Sequence, residues 1–400
     1  MLGGSFQQTF AIQKAKDMGY DVVLIDYLPD NPGQYLADKW YQESTTDINA
    51  VARIAEEEEV DGILAYASDP AALPAAIVAN KSGLPTNPPS AVEILGVKHK
   101  FRAFQKENGL PSPSFVNFDA ERDIGSIKNI LRHLRFPILV KPTDSSGSKG
   151  VNIVNNMDEL EDAIRKAREY SKNKVLIGEE FIEKGFPYLI GGDIFVEEGK
   201  IILMGEMACM REDHGKSLIP VGKRFPSGLS DAQRNIVRDA LQKIIDLTGI
   251  INGEFNIEVI LDKNNVPYVL EFGPRAGGNM IPIQLSDAFG VDLLEANIKA
   301  ALNEKTHLYP KLPQGYRLTH VLHSDQDGIF EKVSFSPEIE PYIYRKVIYK
   351  KEGDPVEKFD GAGKAIGIIF FHFPDENIFK DFLKDIRKHI VISLKSPGNE

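Results

Sequence analysis

The chain has 400 residues, a formal net charge of −11 and a single cysteine, with 42% hydrophobic and 26% charged residues. This length predicts about two or three domains, and the composition is that of an ordinary globular protein. One cysteine excludes an internal disulfide and a cysteine-cluster metal site. The negative charge argues against sequence-independent binding of nucleic acid. No apolar run has the length of a membrane span and no signal peptide is recognisable, so we expect a cytoplasmic protein without a membrane partner.

The N-terminal part of the chain alternates between short apolar strands and helices. These predicted elements span residues 22–26, 50–58, 61–66 and 71–80. The alternation predicts a parallel, doubly wound sheet. Gly3 and Gly4 precede a predicted helix at 9–18, and a glycine turn of this kind normally follows a strand. We therefore expect that a first strand is missing from this sequence.

The remainder of the chain is richer in strands. Helices are predicted at residues 91–108, 157–170, 232–248, 292–302 and 377–388. Strands are predicted at residues 136–140 and 151–154, between 175 and 210, on both sides of a turn within 253–272, and as short segments between 314 and 394. Strands and helices alternate in the N-terminal part, whereas strands dominate the parts after it. This order of elements indicates an α/β part followed by α+β parts.

A polar loop of small residues joins the strand that ends at Lys141 to the next strand. The loop contains Ser145, Ser146, Gly147, Ser148, Lys149 and Gly150. Backbone N–H groups of small residues approach phosphate oxygens closely, and lysine adds a mobile positive charge. Because the loop joins strand to strand, it is not a Walker A loop, which leads into a helix. By itself the segment fits a solvated hairpin with surface lysines equally well.

Two glutamates are predicted to face each other across a hairpin. A two-residue turn at Asn264 and Asn265 would place Glu258 opposite Glu271. Facing carboxylates repel each other, and a divalent cation between them removes the repulsion. Oxygen ligands suit a Mg²⁺ ion that bridges to nucleotide phosphates. Arg275 follows and is placed to stabilise charge in phosphoryl transfer, whereas a solvated surface hairpin is the simpler alternative.

With these motifs the chain resembles the ATP-grasp superfamily, in particular the branch with carbamoyl phosphate synthase, biotin carboxylase and the glycinamide ribonucleotide synthetases. The resemblance implies an N-terminal doubly wound pre-ATP-grasp α/β domain at residues 1–92, here without its first strand. It implies a two-lobed ATP-grasp domain at 93–308, whose flexible lobe covers 110–182, and a small C-terminal α/β lobe at 309–400.

The resemblance assigns two lysines and one loop to the phosphates of ATP. Lys100 matches the first ATP lysine, and Lys98 is the alternative in a shifted register. Lys141 matches the second ATP lysine, which in addition to binding would take part in catalysis. The loop from Ser145 to Gly150 matches the flexible loop that covers the phosphates.

The resemblance also implies where the adenosine lies. The segment that matches the hinge between the lobes consists of Glu179, Glu180, Phe181 and Ile182. The backbone of Glu180 and Ile182 would meet the adenine edge, and the Glu179 side chain would face the nucleotide. Glu183 and Asp193 are the two candidates for an acid that holds the ribose.

The metal ligands of the family match this chain with one gap. Glu258 and Glu271 match the metal-bridging acids, and Arg275 matches the catalytic arginine after them. The family usually has asparagine where this chain has Gly273, which offers no side-chain oxygen. Asn279, or Asn256, is expected to supply the missing ligand.

The resemblance implies an enzyme that uses ATP with Mg²⁺ or Mn²⁺ to activate a carboxylate as an acyl phosphate, which an amine or similar nucleophile then attacks. A carbamoyl phosphate synthase-like or carboxylase-like reaction on bicarbonate is one alternative, and an ATP-binding protein with little turnover is another.

Lys223 and Arg224, in a charged connection, are predicted to bind the small-molecule substrates. A homodimer is expected from such relatives. A Rossmann dehydrogenase is excluded, since no Gly-x-Gly-x-x-Gly follows a complete first strand.

Overall fold

The computed structural model describes residues 1–145, 149–211 and 219–396. The α-helices of these parts are α1 (Phe6–Asp17), α2 (Ile48–Glu57), α3 (Asp69–Lys81), α4 (Pro89–Gly96), α5 (Lys98–Glu107), α6 (Ile124–Leu131), α7 (Leu160–Arg168), α8 (Asp231–Thr248), α9 (Ile281–Phe289), α10 (Leu293–Ala301) and α11 (Glu376–Lys384).

The first strands are β1 (Val23–Ile25), β2 (Lys39–Tyr41), β3 (Phe115–Asp119), β4 (Ile138–Pro142), β5 (Asn152–Val154), β6 (Val175–Glu180), β7 (Ile190–Glu197), β8 (Lys200–Arg211) and β9 (Pro220–Phe225). The remaining strands are β10 (Gly253–Leu261), β11 (Pro267–Gly273), β12 (Tyr316–Leu322), β13 (Gly328–Phe335), β14 (Ile343–Ile348), β15 (Pro355–Val356), β16 (Gly367–Phe373) and β17 (Ile390–Lys395).

The N-terminal part contains a short parallel sheet. Strands β1 and β2 pair in parallel, and Leu2 forms a parallel bridge to Ile25. The Leu2 N–H donates to the Leu64 carbonyl at 3.0 Å. Residues 61–66 lie beside the sheet in this way, but the strand predicted there is not formed in the described structure. The parallel α/β arrangement is therefore present, but its second strand is β2 at Lys39–Tyr41, which was not predicted, and not the segment 61–66.

A four-stranded antiparallel sheet follows, in the order β3-β6-β4-β5. Helices α6 and α7 cover it, and Ile127, Leu131 and Ile164 of these helices are buried in one core with Val140 of β4. Leu160, Ile164 and Ala167 recur at helical spacing on α7, which explains why one face of that helix is buried. This sheet positions Lys141 and the end of β6.

The largest sheet has eight strands in the order β11-β10-β7-β8-β9-β12-β16-β14. On one face Val237 and Leu241 of α8 pack against it, and on the other Leu285 of α9 packs against Phe195 and Met207. Three strands of this sheet come after residue 308, so the sheet continues across the predicted boundary at 308/309. A separate three-stranded sheet, β15-β13-β17, completes the C-terminal part.

The helix predicted at residues 91–108 is two helices. Val97 between α4 and α5 has an extended backbone, with φ −114° and ψ 111°. This break makes Lys98 the first residue of α5. No helix in the described parts of the chain combines the length and the apolarity that a membrane span requires.

Candidate active site

The two glutamates predicted to face each other do so. In the antiparallel pair of β10 and β11, Glu258 is the direct partner of Glu271. The turn is longer than predicted: the Asp262 N–H donates to the Val266 carbonyl at 3.2 Å, and the Val266 N–H donates to the Asp262 carboxylate at 2.8 Å. A register shift between Glu258 and Val259 compensates for the longer loop. The pairing of the acids is confirmed, and the two-residue turn was wrong.

Lys98 is the lysine that the structure places beside the acid pair. Its Nζ lies 3.0 Å from Glu271 Oε1 and donates to the Ser145 carbonyl at 2.6 Å. Lys100 instead pairs with Glu93 at 2.5 Å, and its side chain is 41% exposed. The structure therefore places Lys98, and not the predicted Lys100, beside the acid pair, because residues two apart on a helix point to different sides.

Charge around the acid pair is divided unequally. Burial and the neighbouring Glu271 carboxylate raise the pKa of Glu258 above its ordinary value. Burial acts on Glu271 as well, yet the ammonium groups of Lys98 and Lys141 lower the pKa of its carboxyl. Lys223, Arg211 and Lys98 lower the pKa of Glu258 but do not offset burial and Glu271, so Glu258 still gains from a further cation at this site.

A buried ion-pair network surrounds Glu179. Its carboxylate oxygens lie 2.8 Å from Arg102 Nε and 2.7 Å from Lys141 Nζ, and all three side chains are at most 8% exposed. Burial by itself would raise the pKa of Glu179, but Arg102 and Lys141 lower it to about 2. Burial lowers the pKa of Lys141. Glu179 thus holds Lys141 in place from within the protein.

Arg102 was not predicted as a site residue, although its spacing from Lys98 is a signal for it. Arg102 is one helical turn after Lys98 on α5, so both side chains lie on the same side of that helix. Its guanidinium also donates to the Leu270 carbonyl at 2.9 Å, which ties α5 to β11. The helix therefore presents two cations to the strand that carries Glu271.

The predicted hinge lies at the end of β6. The Glu180 N–H donates to the Ser114 carbonyl at 2.9 Å, and the Phe181 N–H donates to the Pro137 carbonyl at 3.1 Å. Within the described residues, no hydrogen bond involves the Ile182 N–H. The Glu180 N–H thus already has a hydrogen-bond acceptor. The Ile182 N–H is the donor in this segment that could bond to a nucleotide base.

A cavity of about 690 Å³ lies next to the acid pair. Lys98, Glu271 and Arg275 line it, together with Ser145 and Lys149 of the polar loop. Lys141, Glu258 and the hinge do not line this cavity, so it accounts for part of the predicted nucleotide site. Ser146, Gly147 and Ser148 lie outside the described residues, and Gly150 begins the return to β5 with φ 71°.

Arg275 is held by a residue of the N-terminal part. Its Nη2 lies 2.6 Å from a carboxylate oxygen of Asp69, the first residue of α3, and its Nη1 donates to the Ala276 carbonyl at 3.0 Å. Both Asp69 and Arg275 line the cavity beside Glu271. The ion pair fixes the guanidinium close to the predicted metal site and links two parts of the chain.

The structure does not bring Asn279 to the cavity, whereas Asn256 lines it. Asn256 lies opposite Gly273, and its amide nitrogen donates to Asp193 at 2.7 Å. Asp193 also accepts the Gly277 N–H at 2.7 Å and is fully buried, so its carboxylate serves internal contacts. Glu258 is also absent from this lining, so the cavity does not test the prediction that Asn279 supplies a metal ligand.

The acid pair suits a divalent cation bound together with a nucleotide. Among the described residues, no group of three or more His, Cys, Asp or Glu side chains could hold a metal ion. Two carboxylates with lysines beside them are a donor set that leaves the remaining positions of Mg²⁺ to phosphate oxygens and water. The residues present therefore fit a metal–nucleotide complex better than a free ion.

Lys223 and Arg224 are neighbours on β9, so their side chains point to opposite faces of the sheet. Lys223 is buried, and its Nζ donates to Cys209 Sγ at 2.7 Å. The Arg224 guanidinium lies 4.2 Å above the Tyr188 ring and donates to the Ser227 carbonyl at 3.1 Å. Only Lys223 shares the face of Glu258, and the rest of the charged connection, residues 212–218, lies outside the described residues.

The fold is that of the ATP-grasp ligases. The chain superimposes on the L-amino acid ligase from Bacillus licheniformis with a TM-score of 0.83, 20% identity and coverage of 99% of this chain and 98% of that chain. It superimposes on phosphoribosylglycinamide synthetase from Anaerococcus prevotii with a TM-score of 0.77, 22% identity and 98% coverage of both chains. At these identities the likeness concerns the fold.

The family model "Carbamoyl-phosphate synthase L chain, ATP binding domain" matches residues 98–308, and the chain belongs to this family. The large chain of carbamoyl phosphate synthase from Corynebacterium glutamicum is 26% identical over 301 residues, which is 71% of this chain and 25% of that protein. The chain spans a quarter to about half of the length of the first two curated relatives that it matches.

Proposed function

We propose that the chain is an ADP-forming ligase that activates a carboxylate as an acyl phosphate and transfers the acyl group to an amine or similar nucleophile. The observation that carries this proposal is the Glu258–Glu271 pair, with Lys98 in ion contact with Glu271. Two facing acids with a neighbouring lysine are suited to a metal–triphosphate complex. Membership of the family supports ATP as the nucleotide.

The proposal gives each nucleotide contact to a named residue. Glu258 and Glu271 would hold Mg²⁺, or Mn²⁺ in its place, and the ion would neutralise charge on the transferring phosphoryl group. Lys98 and Lys141 would bind phosphate oxygens. The Ile182 N–H and the Glu180 carbonyl would meet the adenine edge. A solved relative in fold, the biotin carboxylase domain of Hydrogenobacter thermophilus 2-oxoglutarate carboxylase, was crystallised with MgADP, which supports this choice of ligand.

The chemistry follows from these positions. The substrate carboxylate attacks the γ-phosphorus, ADP leaves, and the acyl phosphate is then attacked by the amine with loss of phosphate. Arg275, held by Asp69 beside the cavity, would stabilise charge on the phosphoryl oxygens. The loop from Ser145 to Gly150 would close over the site and exclude water, which otherwise hydrolyses the acyl phosphate.

The proposal extends to organisation and location. We propose that residues 1–92, 93–308 and 309–400 act as the three domains, that the protein works in the cytoplasm, and that its partners are small-molecule carboxylates and amines. The Hydrogenobacter domain is described as a dimer, which supports a homodimer here. Nucleic acid is not expected as a partner, given the net charge of −11, and a membrane is not expected because no apolar run has the length of a span.

The direct test is ADP and phosphate release from Mg-ATP with panels of carboxylic acids and amines, followed by mass spectrometry of the product. Release that requires both an acid and an amine, with a product equal to their condensation, supports the ligase. Release with bicarbonate alone supports a second candidate, which the family and the bicarbonate bound to the Hydrogenobacter domain favour. ATP binding without ADP release under any condition would overturn the proposal.

A further inference from the structure

A continuous row of side chains crosses one face of the eight-stranded sheet. It begins with the facing acids Glu271 and Glu258, and Glu258 is the direct partner of Gly191 on β7. Gly191 pairs in turn with Met207 of β8, and Cys209, two residues further along β8 on the same face, is the direct partner of Lys223 of β9. Direct partners in an antiparallel sheet point to the same side, so these groups share one surface.

Gly191 is the position that lets the lysine reach the acid. A Cβ atom at Gly191 would overlap Lys223 Nζ and would lie 2.6 Å from Cys209 Sγ. The Lys223 ammonium therefore occupies the place where a side chain opposite Glu258 would stand. Because Glu258 is the direct partner of Gly191, the ammonium lies on the same face of the sheet as the Glu258 side chain and attracts its carboxylate electrostatically, without direct ion contact.

The ammonium is buried but not fully hydrogen-bonded. Lys223 is 5% exposed, and among the described residues the hydrogen bond of its Nζ to Cys209 is the only one. An ammonium has three donors, so two remain for ligand oxygens. Burial would lower the pKa of Lys223, yet Cys209 and Glu258 raise it above its ordinary value, so the lysine stays charged.

The other side of the acid pair also has its own lysine, because Lys98 Nζ lies 3.0 Å from Glu271. The two carboxylates are thus flanked by two ammonium groups. Position 273, opposite Asn256, carries no side chain and supplies no further oxygen. A site for several divalent ions needs many oxygen ligands. This site has few oxygen ligands, and the two lysines already bring positive charge to it.

We propose that the Lys223 ammonium is a built-in cation of this site, which neutralises the Glu258 side of the acid pair so that the chain binds a single divalent ion with its nucleotide. The inference rests on the proposed function, since it assumes a nucleotide and a metal at the acid pair. Lys223 acts here through its charge on the face of the sheet that carries Glu258, and its free donors are available to a bound anion.

Native mass spectrometry of the full chain with Mn²⁺ and the non-hydrolysable analogue AMP-PNP counts the metal ions directly. The expected result is one manganese per nucleotide-bound chain. In Lys223→Met, Glu258 loses its ammonium partner, and the mass is expected to increase by a second manganese. Lys223→Arg keeps the charge and is expected to stay at one. Lys299→Met, which removes a lysine of α10 paired with Glu295, is the matched control and is also expected to stay at one.

Two manganese ions in the wild-type chain would overturn the inference, and this result does not depend on any variant being folded. One manganese ion in Lys223→Met, with a native circular dichroism spectrum, would also overturn it. Two ions together with substrate-dependent ADP release would leave the proposed function standing. No manganese–nucleotide complex and no ADP release would overturn both.

Discussion

Glu258 and Glu271 are direct partners across β10 and β11, although the loop between these strands is longer than a two-residue turn. The register near the loop pairs Leu261 with Pro267, and the shift between Glu258 and Val259 restores the alignment of the acids. The acids face each other at the cost of electrostatic repulsion, which raises the pKa of Glu258. An arrangement that opposes stability in the absence of a cation indicates a functional site.

Replacement of one facing acid should separate activity from stability. In Glu271→Gln we expect ADP release to fall by about 100-fold or more, because a metal ligand is lost. The fold should persist, since one source of like-charge repulsion is removed. Steady-state ADP release and thermal melting of the same preparation check both parts. Undiminished turnover would contradict the metal assignment, and Glu304→Gln, whose carboxylate accepts a hydrogen bond from Tyr20, is a control with an unchanged rate.

Lys98 and Lys100 form a matched pair of variants on one helix. Lys98→Ala removes the ion contact with Glu271, and we expect it to weaken ATP binding by about 10- to 100-fold, the worth of a charged hydrogen bond. Lys100→Ala removes a half-exposed pair with Glu93 and should leave ATP binding within about twofold of the wild type. Isothermal titration with AMP-PNP measures both. The reverse order of effects would restore Lys100 as the ATP lysine.

Glu179→Gln should destabilise the protein more than a surface substitution does. The carboxylate balances the buried cations Arg102 and Lys141, and loss of one partner of a buried ion pair costs about 3–5 kcal/mol. Urea unfolding at neutral pH measures the change. Arg53→Met, which breaks exposed pairs with Glu43 and Glu57, is the control and should change the free energy of unfolding by less than about 1 kcal/mol.

Asp69 should matter for turnover because it holds Arg275. In Asp69→Asn the guanidinium loses its charged partner, and we expect kcat to fall by about tenfold while the KM for ATP changes little. Asp69→Glu keeps the charge and should recover part of the rate. Initial rates over a range of ATP concentrations distinguish the two parameters. A rise in KM with constant kcat would mean that Asp69 contributes to nucleotide binding instead.

His320 should make the protein sensitive to mild acid. Burial, with His323 and Arg387 nearby, lowers the pKa of His320 from 6.5 to about 3. Below pH 6.5 the unfolded chain binds a proton that the folded chain does not, so the free energy of unfolding falls as pH falls, by at most about 1.4 kcal/mol per pH unit. Urea unfolding between pH 7 and 5 should show a shallower decline in His320→Asn. Equal slopes would mean that folding does not lower the pKa of His320.

Several features were predictable because they depend on local pattern. Alternation along β10 and the return strand predicted that Glu258 and Glu271 face each other, and helical spacing predicted α7 and α8. The opposite directions of Lys223 and Arg224 also follow from strand geometry, although the sequence analysis placed both in one site. The length of the turn was wrong, since the Asp262 side chain closes the loop.

The sequence by itself determined the α/β composition, the hairpin with its two acids, the polar loop and the resemblance to the ATP-grasp superfamily, because these are properties of short segments. Only the tertiary structure decided that Lys98 meets Glu271, that Arg102 and Lys141 share Glu179, and that Asp69 holds Arg275. These contacts join residues far apart in the chain. Which charges meet depends on where a helix begins and how the sheets pack, and neither is encoded in local periodicity.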